Sequence, residues 1–130
     1  MPAFRRATFA VILSLASAAS LIAQPAATPA SARTITLTSY AFAPAALHLA
    51  AGHPVTLNFV NQAGKGHDFT APEFFAHARI LSGSAPRGRI ALEGGASAAV
   101  TLVPAAGTYA AHCSHFLHSS LGMTGTIIVQ

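Results

Sequence analysis

Near the C-terminal end of the chain, Cys113, His118 and Met123 stand at the spacing Cys-x4-His-x4-Met, within Cys113-Ser114-His115-Phe116-Leu117-His118-Ser119-Ser120-Leu121-Gly122-Met123. A thiolate, an imidazole and a thioether are soft donors, and together they select copper over hard cations. A trigonal copper site uses two imidazoles, one thiolate and a weak axial thioether. Three of those four fit on this one segment. The second imidazole must come from elsewhere, and Gly66-His67-Asp68-Phe69 is where it is expected. The chain has a single cysteine. That excludes an internal disulfide framework and any multi-cysteine zinc or iron–sulfur site.

The elements that must position these groups read as strands. Thr34–Thr38 alternates polar and apolar residues with β-branched side chains, the pattern of a half-buried strand. Leu47–Leu49 is a second, shorter candidate. Val55–Asn61 alternates again, with Val55, Leu57 and Phe59 on one face. Gly66-His67 follows that strand after a loop from Gln62. Ala71–Leu81 holds Pro72, Phe74 and Phe75 and predicts a helical turn or two, since proline suits a first helical position. Arg89–Leu92, Ala98–Val103, Gly107–His112 and Thr124–Val129 complete about seven short strands divided by turn signals, which fits a β-sandwich. Cys113 then leaves one strand and Met123 enters the last. Alanine is 30 of 130 residues, so the core rests on the Val, Ile, Leu and Phe of the strands.

The N-terminal segment has a different purpose. Arg5 and Arg6 precede an apolar stretch, Ala7 to Ala23, with small residues near its end. This is the pattern of a secretory signal peptide over residues 1–23, cleaved near Ala23. Residues 24–32 are rich in Pro, Ala and Ser and read as a flexible linker, which leaves 33–130 as one folded domain. The full chain carries a net charge of +4. Without Arg5 and Arg6, five basic side chains face three acidic ones, a net +2. Seven cations scattered over the whole chain make a poor phosphate clamp, so nucleic acid is excluded as a partner. The expected location is the periplasm, with membrane contact only through an uncleaved signal. An unpaired cysteine in that compartment is inert, paired between chains, or held as a ligand.

These residues resemble the cupredoxin family of small blue type 1 copper proteins. The ligand loop is nearest its plantacyanin-like, auracyanin-like and azurin-like members. The resemblance runs over nearly the whole mature chain. It takes in Phe42-Ala43-Pro44 with Leu47 and Leu49, Gly52-x-x-Val55, Asn61, Gly66-His67, Gly107-Thr108-Tyr109 before the cysteine, and Gly122-Met123-x-Gly125-Thr126-Ile127. It implies an all-β, Greek-key β-sandwich of about seven to eight strands with a short helical segment. It also implies one copper ion per chain, cycling between Cu(I) and Cu(II). His67, Cys113 and His118 would be its equatorial ligands and Met123 the axial one, with the Gly66 carbonyl facing it from the other side. The implied function is electron transfer by a monomer that is not an enzyme, with a redox protein docking near His118. The chain departs from the family where Phe116-Leu117 stand in place of Pro-Gly, and where Asp68 replaces the Asn that often follows the first histidine. A carboxylate at 68 could tie the two ligand segments together by accepting hydrogen bonds, for instance from Ser114.

Other readings compete. A copper-binding or copper-delivery protein would display more methionines than one, although extra histidines could form a weaker Cu(II) site. A hydrolase using Cys113 with a histidine lacks an evident orienting group. Glu73 is an alternative oxygen ligand to Met123. His112 points to the face opposite Cys113, and both it and His115 read first as surface or cavity residues. His48, His53 and His77 read as surface. Phe116, Leu117 and Leu121 are expected to form an apolar rim around His118; Phe74 and Phe75 fit that rim or the core equally well.

Overall fold

A computed structural model of the chain describes residues 20–26 and 29–130. The expected signal lies almost wholly outside the described residues, and residues 20–26 have no regular structure. Among the described residues, no helix is long and apolar enough to cross a membrane.

Among the described residues, ten strands form two five-stranded sheets. In chain order they are β1 (Ser31–Thr38), β2 (Ala41–Ala43), β3 (Ala46–Leu49), β4 (Val55–Asn61), β5 (His67–Thr70), β6 (Arg79–Ser82), β7 (Arg89–Leu92), β8 (Ser97–Val103), β9 (Gly107–His112) and β10 (Thr124–Val129). One sheet has the order β2-β1-β4-β8-β6 and the other β3-β10-β9-β5-β7. The pairs β1·β4 and β3·β10 are parallel and the remaining pairs are antiparallel.

The alternation read from the sequence is the burial pattern of the strands. Val55, Leu57 and Phe59 are buried while Thr56, Asn58 and Val60 are half-exposed. Ile35 and Leu37 of β1 and Val100 and Leu102 of β8 face the same interior. From the other sheet Phe69, Ile90, Ala111, Ile127 and Val129 close it. Each large apolar side chain withdrawn from water here contributes about 1.5–3 kcal/mol. The tilted contact of Phe59 with Phe69, centroids 5.1 Å apart, joins the two sheets.

The structure corrects the sequence reading in two places and decides a third. Among the described residues there are ten strands, more than the seven to eight expected, because β2, β5 and β6 carry no period-2 signal. β2 has three residues; β5 is buried on both faces at His67, Asp68 and Phe69; β6 is exposed throughout. β1 opens at Ser31, inside the stretch read as linker, because its first four residues are exposed yet pair in parallel with Val55–Asn58. Finally, Phe74 and Phe75, which the sequence left open between rim and core, are core residues, 1% and 5% exposed. They sit on α1 (Pro72–His77), which starts at its proline as expected. Phe74 lies edge-on to Tyr109 at 5.6 Å. The helix is seated by Gly88, whose φ is 72° and whose absent Cβ would fall 2.4 Å from Pro72 Cα. No other residue type fits there.

Candidate metal centre

The centre forms where β5 runs beside the end of β9. Thr70 is paired with His112 in an antiparallel register. Continuing that register sets Asp68 opposite Ser114 and His67 opposite His115. The segment entering β5 is held by Asn61, 1% exposed. Its amide donates to the carbonyls of Lys65 (2.8 Å), Leu92 (3.1 Å) and Glu93 (3.0 Å), and its Oδ1 accepts from Ala63 N–H (3.0 Å). Gly94 closes the same corner: a Cβ there would lie 2.6 Å from the Gly64 carbonyl oxygen.

The second segment, 114–122, is a double turn between β9 and β10. Main-chain bonds from Cys113 N–H to Met123 O (3.1 Å) and from Met123 N–H to His118 O (3.0 Å) draw its two ends and its middle together. The three candidate donors of the Cys-x4-His-x4-Met segment are thereby linked through the backbone. Cys113 and Met123 are buried, 1% and 0% exposed, and His118 is half-buried. Cys113 Sγ lies 3.5 Å from His118 Nδ1. One donor atom each of His67, Cys113 and His118 lie within 4.8 Å of one another.

His67 is 3% exposed, and its Nδ1 has no hydrogen-bond partner among the described residues. An unpaired buried polar atom costs about 1–3 kcal/mol, so a ligand at this atom removes a real penalty. Burial, and then the neighbouring His118 and His115, push the His67 pKa down, with Asp68 opposing. The imidazole is therefore held neutral, with a lone pair free to donate. Two imidazoles and a thiol with an orphaned nitrogen among them, and a buried thioether tied to them through the main chain, fit a copper ion by softness and by number.

Asp68 is fully buried and binds across the two segments, as expected from the sequence. Its Oδ1 accepts from Ser114 N–H (2.8 Å) and Thr70 Oγ1 (2.7 Å), and its Oδ2 accepts from Ser114 Oγ (2.5 Å). Burial raises its pKa, but the Ser114 and Thr70 hydrogen bonds and the Arg89 charge outweigh burial and leave it below the usual carboxylate value. The Arg89 guanidinium stands 4.0 Å away.

The segment that carries His118 exposes several apolar side chains. Phe116, Leu117 and Leu121 are 87%, 53% and 58% exposed, as the sequence reading anticipated. Tyr40, which that reading missed, meets His118 edge-on at 5.1 Å. Tyr40 sits in the tight turn before β2 with a φ of 65°, and without β2 its position could not be read. A cleft of about 340 Å³ lined by Ser39, Tyr40, Gly64, Lys65, His67 and His118 opens onto the imidazole pair. Gly66 is half-buried, and a Cβ there would lie 3.7 Å from His115 Cε1. His115 is no isolated surface residue: its ring stacks on His118 at 5.2 Å, and Nε2 is 3.6 Å from Asp68 Oδ2. His112 is half-buried, and Glu73, His48, His53 and His77 are exposed. None of these five belongs to a donor cluster among the described residues.

No curated protein matches the chain. Solved structures do. The dithionite-reduced auracyanin of the photosynthetic bacterium Roseiflexus castenholzii superposes with a TM-score of 0.60 at 20% identity, over 78% of this chain and 99% of that one. Auracyanin B superposes with a TM-score of 0.57 at 28% identity, over 79% and 91%. A multicopper oxidase from Campylobacter jejuni, described as a metallo-oxidase, superposes with a TM-score of 0.59 at 14% identity, over 83% of this chain but 31% of its own length. The fold is thus shared by single-domain auracyanins and by pieces of larger oxidases. The family model for the cupredoxin-like domain matches residues 6–129, and the two-sheet sandwich with its histidine–cysteine–histidine cluster agrees with it: the chain belongs to the cupredoxin-like domain family.

Proposed function

We propose that the protein is an exported, monomeric electron carrier, and that His67, Cys113, His118 and Met123 hold its one copper ion. The observation that carries this reading is the orphaned Nδ1 of buried His67, in a cluster whose donor atoms lie within 4.8 Å of one another. The ion would supply one-electron chemistry between Cu(I) and Cu(II). The chain's part is to keep the donors where they are in both states. Asp68 and Ser114 clamp one ligand segment to the other, and Asn61 fixes the approach to His67. Little has to rearrange when the charge changes, which is what fast electron exchange requires. Burial of Cys113 and Met123 keeps water from the sulfur donors. His118 is the donor nearest solvent, and a redox partner with an apolar face would dock on Phe116, Leu117, Leu121 and Tyr40 around it. On this reading no substrate is transformed and the chain is not an enzyme. Export through residues 1–23 to the periplasm accounts for the arginine pair and the apolar stretch after it.

The test is addition of Cu(II) to the purified protein. An intense visible sulfur-to-copper charge-transfer band is expected, and it is lost in Cys113→Ser. A band that persists without the thiol rejects the site. Copper delivery without electron transfer is the competing reading, and His115 beside the cluster favours it. Slow electron self-exchange in the copper-loaded protein would select delivery.

A further inference from the structure

Two donor sets converge on one sulfur. Besides His67 and His118, Cys113 has a second pair of neighbours, Asp68 and His115, whose donor atoms lie within 4.8 Å of its own and of each other. A carboxylate has room for about four hydrogen-bond or metal contacts, two on each oxygen. Asp68 Oδ1 has both places filled, by Ser114 N–H and Thr70 Oγ1, while Oδ2 has one filled, by Ser114 Oγ. The remaining place on Oδ2 has His115 Nε2 at 3.6 Å, too far for a good hydrogen bond. The Arg89 nitrogen is further still, at 4.0 Å.

The two sets differ in chemistry and in access. The first has two imidazoles and a thiol, with His67 3% exposed. The second replaces one imidazole with a hard oxygen, and its histidine side chain is 43% exposed. One thiolate, one imidazole and one carboxylate suit a borderline divalent ion that accepts N, S and O donors in a tetrahedron. Three protein ligands leave a fourth, solvent-facing position for water.

We propose that Asp68, Cys113 and His115 form a second binding mode for a zinc-like divalent cation, exclusive of the His67–Cys113–His118 mode. The sets share their sulfur, and their histidine rings stack at 5.2 Å with planes 19° apart, so two dications side by side would repel strongly. Binding moves no electron. The Cys113 thiol gives up its proton to solvent as the metal–sulfur bond forms. Asp68 keeps its bonds to Ser114 and Thr70, so the ion meets a carboxylate already held in place. The second mode does not depend on the electron-carrier reading.

Cobalt(II) is the spectroscopic stand-in for zinc. His118→Ala removes a donor from the first set and leaves the second whole. Titration of that variant with Co(II) should give a thiolate-to-cobalt charge-transfer band in the near ultraviolet. Adding His115→Ala should weaken Co(II) binding at least tenfold. The same binding in both variants, or no band in His118→Ala, overturns the proposal. Thermal melts of the two variants with and without Zn(II) guard against misfolding: zinc should raise the Tm of His118→Ala and leave the double variant where it was, and equal shifts overturn the proposal. A protein that gave this cobalt band yet no blue copper band would defeat the electron-carrier reading and leave the second mode standing.

Discussion

The two segments that meet at the centre are built in opposite ways. The His67 side is interior: Asn61, His67 and Asp68 are all buried, and the Asn61 amide and the Asp68 carboxylate are tied by short hydrogen bonds. The His118 side is a surface turn, with its apolar residues outward and its own main-chain bonds as ties. One side would fix where a metal sits. The other, on the proposed function, would present it to a partner. Stability and exchange are thus assigned to different residues, and substitutions should separate them.

The largest expected effect is on the shared sulfur. Cys113→Ser should abolish the visible copper band entirely, because serine offers no soft anionic donor; absorption spectroscopy decides it. Next is Asn61→Ala on the interior side. It strips the carbonyls of Lys65, Leu92 and Glu93 of a donor and should cost about 3 kcal/mol of stability at the usual penalty for buried unpaired groups. A loss of unfolding free energy under about 1 kcal/mol in urea denaturation would show that the surface turn, not Asn61, fixes the His67 segment.

Asp68→Asn should act more mildly, and on electrons more than on folding. Removing a negative charge beside the donors should raise the reduction potential, since the charge favours the more oxidised ion. The same substitution has a signature in acid. Burial opposes ionisation of Asp68, but its hydrogen bonds win and its folded pKa lies below the ordinary carboxylate value. Its contribution to stability is therefore complete above that ordinary value and is lost as pH falls through the depressed one. The asparagine variant should lack that part of the acid-limb decline, as stability against pH will show. The smallest effect on folding belongs to the outer side: Phe116→Ser, at an 87% exposed position, should change stability by no more than about 0.5 kcal/mol. It should nevertheless slow electron exchange with a partner. Equal losses from Phe116→Ser and Asn61→Ala would erase the contrast between the two sides.

How much of this was legible depended on periodicity. Val55, Leu57 and Phe59 announce their strand because one side of it faces the core and the other does not. His67-Asp68-Phe69-Thr70 does not, because three consecutive residues are buried on both sides and a strand with two interior faces has no alternation. β6 is unreadable for the opposite reason, being exposed along its length. The Cys-x4-His-x4-Met spacing was visible because it is local, and the Asp68–Ser114 bridge was foreseeable because a carboxylate there needs donors. The place of His115 was not. Its relation to Asp68 comes from β5 lying against β9, a pairing 42 residues apart at Thr70 and His112. The choice between rim and core for Phe74 and Phe75 likewise rested on which way a one-and-a-half-turn helix faced, which packing on Tyr109 decides.

The position of β10 has a consequence for time as well as space. It is the last strand in the chain, yet it lies inside its sheet, between β3 and β9. Its partner Ala46–Leu49 is made some eighty residues earlier. Contacts so far apart in sequence form late and slowly. Until β10 inserts, β3 has no partner strand, whereas the bonds joining Cys113 to Met123 and Met123 to His118 span only ten and five residues and can close once β10 meets β9. The turn that encloses the thiol can therefore form before the sheet is complete.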